Sequence, residues 1–432
     1  VEKGMSKDLK ERIRHRLREH SHIFGSERIN QEQLHATIIK IIEELKLKEY
    51  LQIDEHSTKK LVEELLDELL GLGPLKALLE DTSVTEIMVN GPKKVYIEKN
   101  GKIMLSDVTF ENNQHVLYII QKVLSPTRRH VDEMTPFTDV SLPDGSRVNI
   151  IIPPLTLNGP VVTIRKFLKE FGTIDDLVKR ESLSSAMADF LVASIKAKLN
   201  IIFSGATGAG KTTTLNVLSS YIAQDERIIT IEDTAELKLN KEHVVSLETK
   251  PGNIEGKGEI SIRDLFKNSL RMRPGRIILG EIRSAEALDM LQAMCSGHNG
   301  SLAVVHASSP PDVISRIETM ILTSGINISS LAIRRQVASS LNLIVQQEQL
   351  ADGSRKVTHI TEVRGVHNDE LVLQDLFSYE VESMNSEGRI TGAWKNHGVV
   401  PLFFNRFKKM GVELSEEIFK SDQRTVASEN LW

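Results

Sequence analysis

The feature that most narrows what this chain can fold into is an eight-residue run, Gly205-Ala206-Thr207-Gly208-Ala209-Gly210-Lys211-Thr212. Two glycines separated by four residues, then Lys and a hydroxyl residue, form the phosphate-loop pattern. The run follows an apolar segment, LNIIFS, and opens one in which Leu215, Leu218 and Ile222 recur three and four apart. Strand, loop and helix in that order are the context the pattern requires. Glycines let backbone N–H groups turn inward around a phosphate, and the helix N-terminus adds its dipole. Lys211 is then placed to reach the β- and γ-phosphates and Thr212 to offer its hydroxyl to Mg²⁺, with Thr213 completing the nucleotide-contacting run. By chance the pattern arises in about one chain in seventy of this length, and the flanking elements make it rarer. ATP or GTP is the expected ligand.

Such a loop belongs to a parallel sheet covered on both faces, and the sequence around it reads that way. LNIIFS, RIITIED, RIILGE and SLAVVHA are near-continuous apolar runs, separated by helical stretches such as SIRDLFKNSLRM and AEALDMLQAM. This α/β core is expected over 182–385. Ahead of it, EIMVN, KVYIEKNG and KIMLSDVTF predict strands, with a hairpin turn at Asn100-Gly101. A helix through Val116, Ile119, Ile120 and Val123 ends before Pro126, and SLPDGSRVNIII and VVTIRKF predict further strands with turns at Asp144-Gly145 and Asn158-Gly159. That makes a smaller α+β domain over 56–166, joined by a linker at 167–181. Residues 1–55 are a charged helical region with an apolar stripe at Leu34, Ile38, Ile41, Ile42 and Leu45. A second stripe runs through Leu61, Leu65, Leu66, Leu69 and Leu70 to a stop at Gly71-Leu72-Gly73-Pro74. Residues 386–432 are set apart as a C-terminal extension with no assigned chemistry.

A phosphate loop needs a carboxylate at a neighbouring strand end to hold Mg²⁺ or orient the attacking water. Glu281 ends RIILGE, and Glu232 and Asp233 end RIITIED, so both strand ends face the phosphates if the strands run parallel. Glu281 stands where Asp is commoner, which points to Mg²⁺ contact through water. His298 and His306 bracket the strand of GHNGSLAVVHA. Each is either a satisfied packing residue or a reporter of the γ-phosphate. Cys295 is expected in the core, since no His/Asn constellation makes it a nucleophile.

Composition bounds the partners. With 432 residues, 40% hydrophobic and 26% charged, the chain is globular and has room for two or three domains. Fifty-four Lys and Arg against 59 Asp and Glu give a net charge of −5, which counts against a generally basic nucleic-acid binder. One cysteine excludes an intrachain disulfide and a Cys-rich zinc site and fits a reducing compartment. No apolar run reaches the ~18 residues of a membrane span, and VEKGMSKDLKERIRHRLREH is too charged for a secretory leader. A cytoplasmic protein is expected.

Four elements in this order resemble the secretion-ATPase superfamily of type II secretion, type IV pili and type IV secretion: GATGAGKT its Walker A, TIEDTAEL its Asp box, RIILGEIR its Walker B, GHNGSLAVVHA its His box. PDGSRVNIIIPP, GPVVTIRKF, RDLFKNSLRMRP and ADGSRKVTHITEV are similar to the Tad/Flp pilus-assembly ATPases. The resemblance covers about residues 60–365. It implies a RecA-like P-loop ATPase core in a homohexameric ring that uses ATP and Mg²⁺, working on inner-membrane pilus platform proteins from the cytoplasmic face of that membrane. It implies Glu232 as the residue polarising the attacking water and Glu281 as support for Mg²⁺ and the water network. His306 and His298 would contact or sense the γ-phosphate. Arg147 in DGSRVN and Arg165 in TIRKF match arginines presented to phosphates, where a guanidinium can stabilise transition-state charge. The chain departs from the pattern at Ser141, often Arg, at Gly275, usually Asp, at Ser308, usually Asn, and at Gln349, often Arg. The zinc-binding tetracysteine of some relatives cannot form here.

Three other readings stand beside the motor. A RecA-like nucleic-acid translocase needs a basic stripe with stacking aromatics, against 5% aromatic content and a negative charge. A small-molecule kinase leaves the preceding α+β domain unexplained. A nucleotide-gated scaffold has no use for Glu232 and Glu281.

Overall fold

The computed structural model describes residues 72–420 apart from 100, 128, 143, 167–171, 251, 253–256 and 387, together with 31–49, 425–426 and positions 12, 13, 16, 54, 57–59, 61 and 62. The chain divides into two compact units, Val1–Lys166 and Phe167–Trp432.

In the first unit, helix α1 (Gln31–Glu49) buries Ile38, Ile41, Ile42 and Leu45, the predicted stripe. The side chain of Leu34, Leu65, Leu66, Leu69 and Leu70 of the second stripe, and Asn100 of the predicted turn lie outside the described residues. A short helix α2 (Lys76–Glu80) leads into a sheet of β1 (Val84–Asn90), β2 (Val95–Lys99), β3 (Lys102–Leu105), β4 (Phe137–Ser141), β5 (Arg147–Ile151) and β6 (Val161–Arg165), with α3 (Asn113–Leu124) between β3 and β4. The spatial order is β3-β2-β1-β6-β5-β4, and every neighbouring pair is antiparallel. Asn112 caps α3 by accepting from the His115 N–H, satisfying one orphan donor of the first turn. Val116, Ile119, Ile120 and Val123 on α3 share a core with Val148, Ile150, Val162 and Ile164, the alternate residues of β5 and β6. Strand alternation turns Arg147 and Arg165 to the opposite face.

In the second unit, six strands run parallel: β7 (Ile201–Gly205), β8 (Ile228–Glu232), β9 (Val244–Glu248), β10 (Arg276–Leu279), β11 (Leu302–Val305) and β12 (Leu343–Gln349). Their order is β12-β7-β11-β10-β8-β9. Every residue of β7, β8, β10 and β11 is buried, as expected for strands covered on both sides. Helices α4 (Ile174–Lys179), α5 (Ser185–Lys196) and α6 (Lys211–Ser219) contribute to the core on one face. On the other lie α7 (Ile262–Ser269), α8 (Glu286–Cys295), α9 (Pro310–Thr323) and α10 (Ser330–Ser340). Antiparallel strands β13 (Arg355–His367), β14 (Glu370–Met384), β15 (Ile390–Asn396) and β16 (Thr425–Val426) continue the sheet from β12, and α11 (Asn405–Lys409) follows β15.

Three sequence expectations are corrected. Residues 174–179, placed in a linker, form α4, with a Thr173/Asp176 capping box and with Ile174 and Leu177 in the core. The extension beyond 385 is integral to the second unit, because β15 pairs with β14 and the rings of Phe407 and Phe419 pack on Phe190, with centroids 6.1 and 5.4 Å away. Cys295 lies exposed at the end of α8, not in the core. Phe419 is 1% exposed and also meets Phe377 at 5.6 Å. Phe419→Ala should therefore cost about 3 to 5 kcal/mol, read as a drop in denaturant midpoint. An unchanged midpoint would show that the extension is dispensable to the core.

Candidate nucleotide site

The loop 205–212 sits at the C-terminal edge of the parallel sheet, where β7 ends. Its backbone turns through Gly208 at φ +80° and Gly210 at φ +97°, left-handed conformations that glycine adopts without a Cβ penalty. Ala209 is fully buried and anchors the loop from beneath, while Ala206, Thr207 and Thr213 are exposed or half-buried and Thr212 is half-buried. Lys211, 6% exposed, donates from Nζ to the carbonyl oxygens of Gly205 at 2.9 Å and Ala206 at 2.7 Å. A phosphate offers that ammonium a charged and stronger acceptor, so the bonds are exchangeable.

Register brings the acidic residues to the same edge. Leu279 of β10 lies beside Ile231 of β8 and Ala303 of β11, so Glu281, Glu232 and His306 all emerge at strand C-termini. His306 follows Val305, which is level with Ser204 at the root of the loop. Its Nε2 lies 3.6 Å from Glu281 Oε1. Burial and the Lys211 ammonium depress the His306 pKa, favouring the neutral ring. Burial raises the Glu281 carboxyl, but the Arg283 guanidinium, 2.7 Å away, outweighs it and holds the group below its ordinary value.

Glu232 is held differently. It is 4% exposed, and its Oε1 accepts the N–H groups of Glu236 at 2.9 Å and Leu237 at 3.0 Å, closing the turn after β8. Gly280 makes this fit, since a Cβ there would approach Glu232 Cγ to 2.6 Å. Burial pushes the carboxyl pKa up to about 7; the two backbone bonds offset part of the rise and the charges of Glu236 and Glu248 add to it.

The structure separates the two histidines. His298 precedes β11 by four residues, and Leu302 pairs with Ile201 at the start of β7, so His298 lies at the sheet edge opposite the loop. There its carbonyl accepts from Ser301 Oγ and its Nδ1 is buried without a hydrogen-bond partner. Within this chain it does not join the phosphate loop, because the strand between the two histidines separates the two edges.

Arg147 and Arg165 belong to the first unit, directly opposite each other on β5 and β6. The row runs Ser141, Arg147, Arg165, Glu86, Glu98 across five strands. Arg165 Nε is 3.9 Å from Glu86 Oε1. Glu86 and Glu98 continue the row beyond the two arginines, so Arg165 already faces a carboxylate. Ser141, where Arg was expected, sits at the end of the same row.

Two further residues escaped the sequence reading. Arg283 bridges the carboxylates, with Nη1 2.5 Å from Asp233 Oδ2 and Nη2 2.7 Å from Glu281 Oε2. Its place two residues after Glu281 in GEIR was the available signal. Gln346 Nε2 donates to the Ala307 carbonyl at 3.2 Å, and its Oε1 accepts from Ser204 Oγ, tying the loop's root to the segment that carries His306. A cleft of about 1060 Å³ opens beside the loop, lined by Ala206, Thr207, Arg283, His306, Arg316 and Glu348 among others. Among the described residues no three His, Cys, Asp or Glu side chains form a metal cage. Thr212 and Glu281 both offer oxygen donors, the chemistry Mg²⁺ takes when bound partly through phosphates and water.

Parallel strands in this order, with a phosphate loop after the strand beside β12 and carboxylates at the next strand ends, define a RecA-like P-loop core. The family profile described as "Type II/IV secretion system protein" matches residues 68–390, and the chain belongs to that family. It is 30% identical over 303 residues to a putative conjugal transfer protein of Mycobacterium tuberculosis, covering 69% of this chain and 86% of that one. It is 29% identical over 329 residues to the type IV secretion system protein VirB11 of Bartonella quintana, covering 68% and 92%. The solved VirB11 ATPase of the Brucella suis type IV secretion system aligns with 26% identity and a TM-score of 0.38, over 67% of this chain and 95% of that one.

The buried Glu232 makes stability depend on pH. The folded state keeps this proton up to about pH 7, whereas the unfolded chain releases it near 4.5, so stability falls as pH rises through that window. Glu232→Gln keeps an acceptor for the two N–H groups and carries no proton. Relative to the unaltered chain its unfolding free energy should rise by on the order of 3 kcal/mol between pH 4.5 and 7.5, measured in urea. Parallel pH profiles would show that Glu232 is not a buried acid.

Proposed function

We propose that the chain is a Mg²⁺-dependent ATP hydrolase that works as a homohexameric motor at the cytoplasmic face of the inner membrane, powering Tad/Flp-type pilus assembly or related secretion through platform proteins of that membrane. The observation that carries the enzymatic part is the meeting of Lys211, Glu281 and His306 at one sheet edge, beside a glycine loop whose backbone turns through Gly208 and Gly210. Family membership supports the secretion role. Lys211 exchanges its loop carbonyls for the β- and γ-phosphates. Thr212 and Glu281 would hold Mg²⁺, Glu281 through water, and the ion would supply positive charge to the phosphate oxygens. Glu232, with a pKa near the working pH, has the proton affinity of an effective general base and takes the proton of the attacking water. The neutral ring of His306 donates a hydrogen bond to the γ-phosphate. Arg147 and Arg165, side by side on β5 and β6, would present guanidinium groups to phosphate. No helix among the described residues is long and apolar enough to cross a membrane.

Lys211→Ala should abolish nucleotide binding, measured with a fluorescent ADP analogue. Glu232→Gln should bind normally while turnover falls by about a hundredfold or more, the scale of lost general-base catalysis. Normal turnover in that variant would remove Glu232 from the mechanism. Turnover per chain should climb with protein concentration if assembly completes the site; a flat rate down to the monomer would sink the ring motor.

A further inference from the structure

The segment ADGSRKVTHITEV has no part in the hydrolytic scheme above, yet it touches the phosphate loop. Arg355 is the first residue of β13 and lies directly across from Gln349, the last of β12. The turn between them is held by Asp352, whose carboxylate accepts the N–H groups of Ser354 and of Ile390 on β15, each at 2.9 Å. From this braced hairpin end, Arg355 Nε donates to the carbonyl oxygen of Gly208 at 2.7 Å. A Cβ built on Gly210 would stand 3.4 Å from Arg355 Cδ, and one on Gly208 3.4 Å from Gln349 Oε1. The hairpin end therefore lies along the outer wall of the loop.

A peptide plane carries its C=O and the following N–H in opposite directions. Holding the Gly208 carbonyl outward on Arg355 therefore holds the Ala209 N–H inward. That N–H donates to the Ala206 carbonyl at 3.3 Å, inside the loop. Gly208, at one end of this plane, is a soft backbone joint in the left-handed region, so the plane gains from an external support. We propose that Arg355 is a positioning residue for phosphate binding: its bond to Gly208 presets the inward Ala209 N–H to receive the β-phosphate. The inference rests on the nucleotide-loop reading above and adds to it a residue from outside the loop. The support is itself fixed. Lys356, on the other face of the same strand, lies 3.6 Å from Glu181 and 5.5 Å from the ring centres of Tyr379 and Trp394.

The test is equilibrium binding of ADP and AMP to the full chain and to Arg355→Ala, Arg355→Lys and Lys211→Ala, with nucleotide-free thermal unfolding of each. ADP affinity should fall roughly tenfold in Arg355→Ala, the scale of one hydrogen bond from a charged donor. AMP, which has no β-phosphate, should be little affected, and Arg355→Lys, which keeps a donor, should fall between. A purely structural role would lower the unfolding temperature and weaken ADP and AMP alike. Either that pattern or unchanged ADP affinity overturns the inference while leaving the nucleotide site intact. Failure of the unaltered chain to bind ADP, or binding that survives Lys211→Ala, overturns the nucleotide-loop reading and this inference with it.

Discussion

Covering both faces of a parallel sheet leaves mainly its two edges for polar chemistry, and in the second unit β7, β10 and β11 follow that constraint most closely. The near-absence of polar side chains from β7, β10 and β11 follows from burial on both sides. At the C-terminal edge the strand ends release Gly205, Glu232, Glu281 and His306 within one or two residues of the ladder. At the opposite edge the polar groups serve construction. Asn200 receives the N–H groups of Gly300 and Ser301 and donates to the Ser340 carbonyl, so one side chain joins three segments. The fully buried Arg276 reaches Glu226 at 2.9 Å and the Ile195 carbonyl at 2.7 Å. Such a pair holds its place because losing either partner strands a buried charge.

That division of labour explains what could be read from the chain alone. Four of the six parallel strands, β7, β8, β10 and β11, were legible because burial on both faces writes unbroken apolar runs, and the loop because only glycines permit its backbone. Strand β9, which is only partly buried, and β12, which ends in polar residues, were not read. The antiparallel sheet of the first unit was legible from alternation and turn residues. Less legible was anything decided by register across distant segments. That His298 and His306 fall on opposite edges depends on which end of β11 meets the loop. Arg283 and Arg355 act on groups at Asp233 and Gly208, and no local pattern links such positions. The aromatic packing of Phe403, Phe404, Phe407 and Phe419 looked like an unassigned tail because its partners, Phe190 and Phe377, lie far away in sequence.

The carboxylates at the site show how environment sorts chemically equal groups. Glu232 and Glu281 are strand-end glutamates on adjacent strands, yet one is pushed toward neutrality by burial and the other is kept ionised by a guanidinium. In the proposed hydrolysis a proton acceptor and a cation partner are different tasks, and this difference in surroundings would fit one residue to each.

The tie between Lys356 and Glu181 has a mechanical meaning. The Ser182 carbonyl accepts the N–H of Val357 at 2.7 Å, so residues 181–182 are clipped to residues 356–357 by an ion pair and a backbone bond together. The C-terminal end of α4 is thereby anchored beside the root of β13, one residue from the guanidinium that bonds to Gly208.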